Sequence, residues 1–328
     1  MDNSYYTGKA AKPKKDLWKD LPDKIEFNKE TGYVAQQGLI DAVNVALILN
    51  RPLLLTGEPG TGKSTLAKSL AYELDCKELE LKVEIKSTTT AKDLFYTFDH
   101  IGWFNTRDND NNQIHARNFL TLTGLGKAIF DAAKELPEKV IPPDYKRSSQ
   151  LRSVVLIDEI DKAPRDVPND LLNEIENFHF RVSEIDNVKI EAEKKYCPII
   201  IITSNSESSL PDAFLRRCVF YNIELPDDET LKKILVSRLG GDIKEDDLFL
   251  KDAIGLMHEM RKHKDFEKKP GVSELIDFLA VLRPEIKLNH SLKTNLELVR
   301  KNMSCLIKNQ VSQKTKDDVF SRWQKRHS

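Results

Sequence analysis

A glycine-rich turn that directly follows an apolar run constrains this chain more than any other feature. Residues 57–64 read Gly-Glu-Pro-Gly-Thr-Gly-Lys-Ser, and the apolar run Pro52–Leu55 precedes them. Glycines let the backbone turn tightly and direct its N–H groups at an anion, and a helix starting near Gly62 adds the positive end of its dipole. In this strand–loop–helix context, the motif predicts a binding site for the phosphates of a nucleoside triphosphate.

Individual side chains of the loop have separate expected roles. We expect Lys63 to place its charge on the β- and γ-phosphates and the Ser64 hydroxyl to ligate Mg²⁺. The predicted nucleotide-binding residues are Gly57, Glu58, Pro59, Gly60, Thr61, Gly62, Lys63, Ser64, Thr65 and Asp158. The predicted metal ligands are Ser64 and Asp158.

A second apolar run, Val154–Ile157, ends in the two carboxylates Asp158 and Glu159. Ligands of open α/β sheets bind at the carboxyl ends of the strands, where these side chains would lie. We expect Asp158 to hold Mg²⁺, through water, and Glu159 to polarise the attacking water, a role that contributes about 10²–10⁴-fold in rate. Alone, the pair is equally typical of a charged strand-to-helix corner; beside the phosphate loop, the catalytic interpretation is favoured.

Two further segments supply candidate catalytic residues. Asn205 follows the buried run Ile199–Ile202, so its amide is expected near the attacking water, although asparagine is also common in ordinary turns. Arg216 and Arg217 end a short predicted helix, where cations commonly complement the helix dipole. The alternative is an arginine finger that stabilises charge in a neighbouring subunit's site, and Arg217 is favoured over Arg216 for this role.

The pattern of strands and helices predicts the fold class and the domain boundaries. The runs Val154–Ile157 and Ile199–Ile202 lack alternation, which is typical of parallel strands covered on both faces. We therefore expect a three-layer α/β core with a parallel sheet and a smaller all-α lid after it. The expected segments are a flexible arm over 1–24, the core over 25–225 with an insertion at about 87–117, the lid over 226–308 and a charged tail over 309–328.

Within these segments, Leu120–Leu136 is predicted to be helical, 137–150 to be a linker, and the tail to be either a short helix or a loose end.

The composition restricts the kinds of partner and location that we expect. The chain has 51 basic and 52 acidic residues, and the resulting net charge of −1 argues against a nucleic-acid partner. The four scattered cysteines indicate reduced thiols and a cytoplasmic protein. No apolar run approaches the roughly 20 residues of a membrane span.

The order of these motifs resembles the AAA+ ATPases. Three segments, Leu39–Leu55, Leu156–Glu176 and Lys268–Leu282, are similar to the MoxR subgroup, and the resemblance covers about residues 30–285. It implies a P-loop core with a helical lid, ATP and Mg²⁺ bound between the subunits of a hexameric ring, and an insertion near the second core helix. It also implies a protein client and a von Willebrand factor A domain partner.

The resemblance is incomplete in the lid and undecided in the insertion. Many relatives carry a sensor arginine where this chain reads Lys268–Leu275 without one, so either Lys268 or Lys269 replaces it or the lid senses nucleotide weakly. In the insertion, Trp103 and Phe104 are either ordinary core residues or part of a loop that grips substrate in the ring pore.

Together these features predict an ATP-hydrolysing chaperone that remodels a protein partner. A nucleotide-dependent switch that controls a partner is the alternative, and a nucleic-acid-associated NTPase is less favoured.

Overall fold

The computed structural model describes residues 32–107, 115–146, 150, 152–207, 210–241, 243–286 and 290–325. The expected arm over 1–24 and the polar segment Asp108–Gln113 lie outside these ranges. The described residues divide into two compact units, of which one ends at Pro226 and the other begins at Asp227. None of the helices in these ranges is long and apolar enough to cross a membrane.

The described residues contain nine strands and twelve α-helices. The strands are β1 Leu53–Gly57, β2 Lys77–Glu84, β3 Tyr96–Phe98, β4 Leu120–Leu122, β5 Ser153–Asp158, β6 His179–Val182, β7 Val188–Glu191, β8 Ile199–Thr203 and β9 Val219–Ile223. The helices are α1 Gln37–Leu49, α2 Lys63–Glu73, α3 His100–Arg107, α4 Gly124–Ala132, α5 Asp166–Asp170, α6 Leu172–Asn177, α7 Asp212–Leu215, α8 Asp228–Leu239, α9 Leu248–Lys262, α10 Val272–Leu282, α11 Leu296–Asn302 and α12 Gln310–Lys325.

A five-stranded parallel sheet forms the centre of the first unit, in the order β2-β5-β8-β1-β9. Successive residues of a strand face opposite sides of a sheet, and here both sides are apolar. Along β5, Val155 packs in one buried cluster with Ile129 of α4, while Leu156 packs in another with Leu66 of α2. The predicted fold class, a three-layer α/β core, is therefore confirmed, and the second unit supplies the all-α part.

The region between β2 and α4 forms a small sheet of its own. Strands β3 and β4 pair antiparallel, with Tyr96 opposite Leu122, and α3 lies between them in the chain. The predicted helix over Leu120–Leu136 is thus wrong at both ends, because Leu120–Leu122 is a strand and α4 covers only Gly124–Ala132. Sequence periodicity misses this boundary because the pairing partner, β3, lies more than twenty residues earlier.

Aromatic side chains of the insertion differ in exposure. Trp103 packs against Phe98 and Phe119, with ring centroids 6.4 and 5.6 Å away, and so belongs to the insertion's own apolar cluster. Phe104 is 69% exposed, and Ile101, one turn earlier on α3, is 76% exposed.

The β6–β7 hairpin is joined to this insertion by a group of polar contacts that we call the Glu184 cluster, comprising Lys92, Tyr96, His100, Ser183 and Glu184. The Lys92 Nζ and Tyr96 Oη atoms each donate a hydrogen bond of 2.8 Å to the Glu184 carboxylate. His100 Nε2 lies 3.4 Å from the same group, and the Ser183 N–H donates to Tyr96 Oη. The Glu184 side chain is only 12% exposed. Three successive elements of the insertion, which carry Lys92, Tyr96 and His100, therefore meet at a single carboxylate that is nearly buried.

The regular elements of the second unit are all helices within its described residues, and turns and loops connect them. The unit begins at an N-cap, where the Asp227 carboxylate accepts the Thr230 N–H at 2.7 Å. The segment 309–328, predicted as a charged tail, contains the sixteen-residue helix α12. Its Trp323 is fully buried and donates its indole N–H to the Asp252 carbonyl at 3.1 Å, so packing of α12 on α9 decides between the helix and the loose end.

Candidate nucleotide-binding site

The glycine-rich turn joins β1 to α2 and requires glycine at its first position. Gly57 has φ 137°, and a Cβ there would lie 2.3 Å from the Ile223 carbonyl oxygen of the neighbouring strand β9. Gly60 and Gly62 also have positive φ, and α2 begins at Lys63 immediately after Gly62. The backbone therefore has the tight turn and the helix N-terminus that a phosphate-binding loop needs.

Lys63 is 7% exposed, and its ammonium group is held above the loop by oxygen atoms. Its Nζ donates to the carbonyls of Gly57 and Glu58 at 2.8 and 3.0 Å and to Asn205 Oδ1 at 3.0 Å. Burial lowers the pKa of Lys63 below its usual value, and the nearby carboxylates, led by Asp161, oppose this shift. A buried cation whose partners are mainly neutral oxygens is suited to receive an anion such as a phosphate.

Asp158 and Ser64 form the metal side of the site. Asp158 Oδ1 accepts hydrogen bonds of 2.7 Å from both Ser64 Oγ and Thr203 Oγ1. Burial alone would raise the pKa of Asp158, but the hydrogen bonds from Thr203, Ser64 and Lys82 lower it overall, so the carboxylate is ionised. A hydroxyl and a carboxylate in contact are the hard oxygen ligands that suit Mg²⁺, and these two residues fit the ion.

Glu159 lies at the end of β5 in an unusual backbone conformation. Its φ of 59° is left-handed, which costs free energy for a residue other than glycine and is typical of functional positions. The conformation is fixed by a 2.9 Å hydrogen bond from the Glu159 N–H to Thr203 Oγ1. The carboxylate forms an ion pair with Lys162, and its Oε1 accepts from Asn205 Nδ2 at 3.4 Å.

Asn205 connects the two halves of the site. Its side chain contacts both Lys63 and Glu159, and its backbone N–H donates to Asp161 Oδ1 at 3.1 Å. The Asn205 amide therefore links the buried lysine of the loop to the carboxylate of Glu159.

The structure thus brings Lys63, Ser64, Asp158, Glu159 and Asn205 together at one edge of the sheet. The other predicted nucleotide-binding residues form the turn and the first turn of α2. Thr61 Oγ1 donates to the Glu58 carbonyl and the Thr65 N–H to the Gly62 carbonyl, whereas Glu58 and Pro59 are exposed.

The two candidate finger arginines differ in their contacts. Arg217 donates from Nε to Glu176 Oε2 at 3.0 Å and from Nη1 to the Ala213 carbonyl. Arg216 is exposed at the end of α7, and its guanidinium makes no hydrogen bond or ion pair with any residue that the structure describes. Neither arginine contacts the site residues of its own chain. In the second unit, Lys268 and Lys269 are exposed just before α10.

Four residues of the site escaped the sequence prediction. Thr203 bridges Asp158 and Glu159. Asp161 accepts the Asn205 N–H, and Lys162 forms an ion pair with Glu159. Lys82 contacts Asp158 Oδ2 at 3.1 Å. The sequence carries no signal for Lys82, because its position depends on the parallel register of β2 on β5, which places Glu84 opposite Asp158.

The site has the features of a P-loop nucleotide site: two carboxylates, a buried lysine and a glycine loop lie at one edge of the sheet. Comparison with known proteins supports this assignment. Residues 52–218, just over half of the chain, match the AAA domain of the dynein-related subfamily. The chain therefore belongs to this family of AAA+ ATPases.

Individual relatives are distant. The chain is 25% identical over 236 residues to the putative pachytene checkpoint protein 2 of Caenorhabditis elegans, an alignment that covers 68% of this chain and 47% of that protein. The chain thus spans about half the length of this curated relative. A RuvB mutant of Thermotoga maritima is 16% identical, with 85% of this chain and 73% of that chain covered and a TM-score of 0.43, too weak a likeness to support an argument.

Proposed function

We propose that this chain is an Mg²⁺-dependent ATPase that assembles into a homo-oligomeric ring, a hexamer as in the MoxR group, and remodels a protein partner. The observation that best supports this proposal concerns the cations around the site. Lysines contact Asp158, Glu159 and Asn205, whereas no arginine of the described ranges contacts these three residues or Ser64. An arginine typically stabilises the transferring phosphoryl group, so we assign this task to Arg216 or Arg217 of a neighbouring subunit.

The remaining roles follow from the contacts of each residue. Lys63 would exchange its carbonyl partners for phosphate oxygens, while Ser64 and Asp158 would hold the metal, Asp158 through water. When bound, Mg²⁺ would neutralise the negative charge on the β- and γ-phosphate oxygens. Glu159 would accept a proton from the attacking water after leaving Lys162, and Asn205 would orient Glu159.

A mixing experiment tests whether the site is shared between subunits. Lys63→Ala removes nucleotide binding from one subunit, and Arg217→Ala removes the finger from another. Each variant alone should be inactive. A random 1:1 mixture should recover about a quarter of wild-type turnover, because half of the sites bind nucleotide and half of their neighbours carry the arginine.

A second mixture, of Lys63→Ala with Arg216→Ala, decides between the two arginines. Only the arginine that acts in the neighbouring site should give a variant that is inactive alone and recovers activity when mixed with Lys63→Ala. If neither mixture recovers activity although the variants co-assemble, the shared-site proposal is wrong.

One observation favours the alternative, a slow nucleotide-dependent switch. The Glu159 carboxylate is engaged by Lys162 and Asn205, so the general base is occupied before nucleotide binds. In a switch, ATP binding changes the affinity for the partner and turnover is incidental. Turnover measured with and without the partner separates the two functions, because a remodelling ATPase is stimulated by its client and changes the client's conformation.

The partner itself remains a proposal, as does a cytoplasmic location. We propose a protein client and a von Willebrand factor A domain protein rather than a nucleic acid, in keeping with the net charge of −1. Glu159→Gln with ATP should hold the assembled ring with its partner bound, and affinity purification from the native cell extract would identify that partner. ATP-dependent, salt-sensitive binding of DNA by the wild-type protein would instead support the nucleic-acid alternative.

A further inference from the structure

Lys82 lies on the strand next to the one that carries the predicted metal ligand. Strand β2 pairs in parallel with β5, so that Lys82 lies opposite Leu156 and Glu84 opposite Asp158. The Lys82 side chain reaches Asp158, two residues beyond its own partner in the register. Its Nζ lies 3.1 Å from Asp158 Oδ2 and 2.9 Å from Glu84 Oε1.

The two oxygen atoms of Asp158 therefore have different partners. Oδ1 accepts from Ser64 and Thr203, both at 2.7 Å, and so faces the hydroxyl expected on the metal. Oδ2 faces away from this pair, towards the Lys82 ammonium group. The Asp158 side chain is 14% exposed and the Lys82 side chain 43% exposed, so the carboxylate is largely shielded while the lysine reaches it from the surface.

We propose that Lys82 is a positioning residue of the magnesium site, which holds the Asp158 carboxylate with Oδ1 towards Ser64. The inference rests on the proposed function, since it assigns Asp158 to Mg²⁺. The torsion that rotates an aspartate carboxylate is broad, so hydrogen bonds must fix it. A charge-assisted bond to the oxygen opposite the metal face fixes the rotation without occupying the metal's place.

The size of the effect follows from two considerations. Removing a hydrogen-bond partner of a metal-ligating carboxylate typically costs about 10–100-fold in metal affinity or activity. Lys82 is partly exposed and shares its charge with Glu84, and Thr203 also holds the carboxylate. We therefore expect the lower end, a rise of about 10-fold in the Mg²⁺ concentration at half-saturation.

The test measures metal dependence rather than turnover. Wild type, Lys82→Met and Lys82→Arg are titrated with Mg²⁺ in the presence of a fluorescent, non-hydrolysable ATP analogue, and binding is followed by fluorescence anisotropy. Lys82→Met should raise the half-saturating Mg²⁺ concentration, leave metal-free nucleotide affinity within about twofold, and be largely rescued in Lys82→Arg, which keeps the charge. Melting without metal checks that each variant folds.

Lys86→Met is the matched control, because it removes a lysine just beyond the same strand that does not contact Asp158. Its Mg²⁺ dependence should equal that of wild type. An unchanged half-saturation in Lys82→Met would overturn the inference, and a lowered one would show that Lys82 competes with the metal instead of positioning its ligand. If wild type itself shows no Mg²⁺-dependent nucleotide binding, the proposed function fails rather than this inference alone.

Discussion

Replacing Glu184 by glutamine should loosen the joint between the insertion and the β6–β7 hairpin. The glutamine keeps the size of the side chain but loses the charge that Lys92, Tyr96 and His100 approach. Beneath this charge, Phe180 of the hairpin stacks on Phe95 of the insertion, with ring centroids 5.4 Å apart. The apolar contact remains in the variant, so the experiment isolates the polar part of the joint.

The magnitude follows from the pKa of Glu184. Burial alone would raise the pKa, but the hydrogen bonds from Lys92 and Tyr96 outweigh it and lower the pKa from 4.5 to about 2. At about 1.4 kcal/mol per pH unit, this shift corresponds to about 3 kcal/mol of folding free energy at neutral pH. Glutamine still accepts one hydrogen bond, so we expect Glu184→Gln to lower the free energy of unfolding by about 2–3 kcal/mol at pH 7.

The sign of the pH dependence is fixed by the direction of the shift. A carboxylate whose pKa is depressed in the folded state stabilises the fold above its unfolded pKa, and the stabilisation is lost as the pH falls through the folded pKa. The difference between wild type and Glu184→Gln should therefore be full at pH 7, decrease from about pH 5, be small at pH 2 and vanish below it.

Urea unfolding followed by circular dichroism measures these differences, and hydrogen exchange at β3 and at the hairpin locates them. Glu138→Gln is the matched control, because the Glu138 side chain is 88% exposed in its ion pair with Arg117. An exposed pair contributes about 0–1 kcal/mol, with little pH dependence. A loss below about 0.5 kcal/mol in Glu184→Gln at pH 7, or a difference that persists unchanged at pH 2, would refute the reasoning.

Three further substitutions test other parts of the structure. Gly57→Ala should abolish nucleotide binding in an equilibrium titration and lower the melting temperature, because its Cβ would meet the Ile223 carbonyl at 2.3 Å in a backbone conformation of φ 137°. Thr203→Val should cost about 1–3 kcal/mol in urea unfolding and weaken Mg²⁺-dependent binding, because the buried hydroxyl contacts both Asp158 and Glu159. Trp323→Ala should destabilise the helical unit by about 3–5 kcal/mol, because the indole is fully buried. The loss should appear as accelerated hydrogen exchange in α9 and α12, and unchanged exchange there would contradict the packing of α12.

The predictable part of the site is the part whose residues are neighbours in the chain. The loop 57–64 and the pair Asp158–Glu159 can each be recognised as candidate site residues from a few consecutive positions. The apolar runs before them predict the strands that they follow. Lys82 and Thr203 could not be assigned, because their roles depend on which strands lie side by side. That order is set by tertiary packing and not by any local pattern.

The same reasoning applies to the fold. The buried runs of β5 and β8 are apolar on both faces, so the three-layer core could be predicted. The sequence predicts helix at β4, because three residues are too few to show a period and their conformation is decided by pairing with β3. Likewise, α12 is polar along most of its length, and the burial of Phe320 and Trp323 fixes its position.

Glu159→Gln tests the central claim, that this site hydrolyses ATP with Glu159 as the general base. The amide keeps the size of the side chain and can still contact Asn205, but it cannot accept a proton from water. ATP turnover under single-turnover conditions should fall by about 10²–10⁴-fold, while Mg²⁺-ATP affinity measured by calorimetry stays within a few fold. Turnover equal to wild type, with ATP bound normally, would contradict the account.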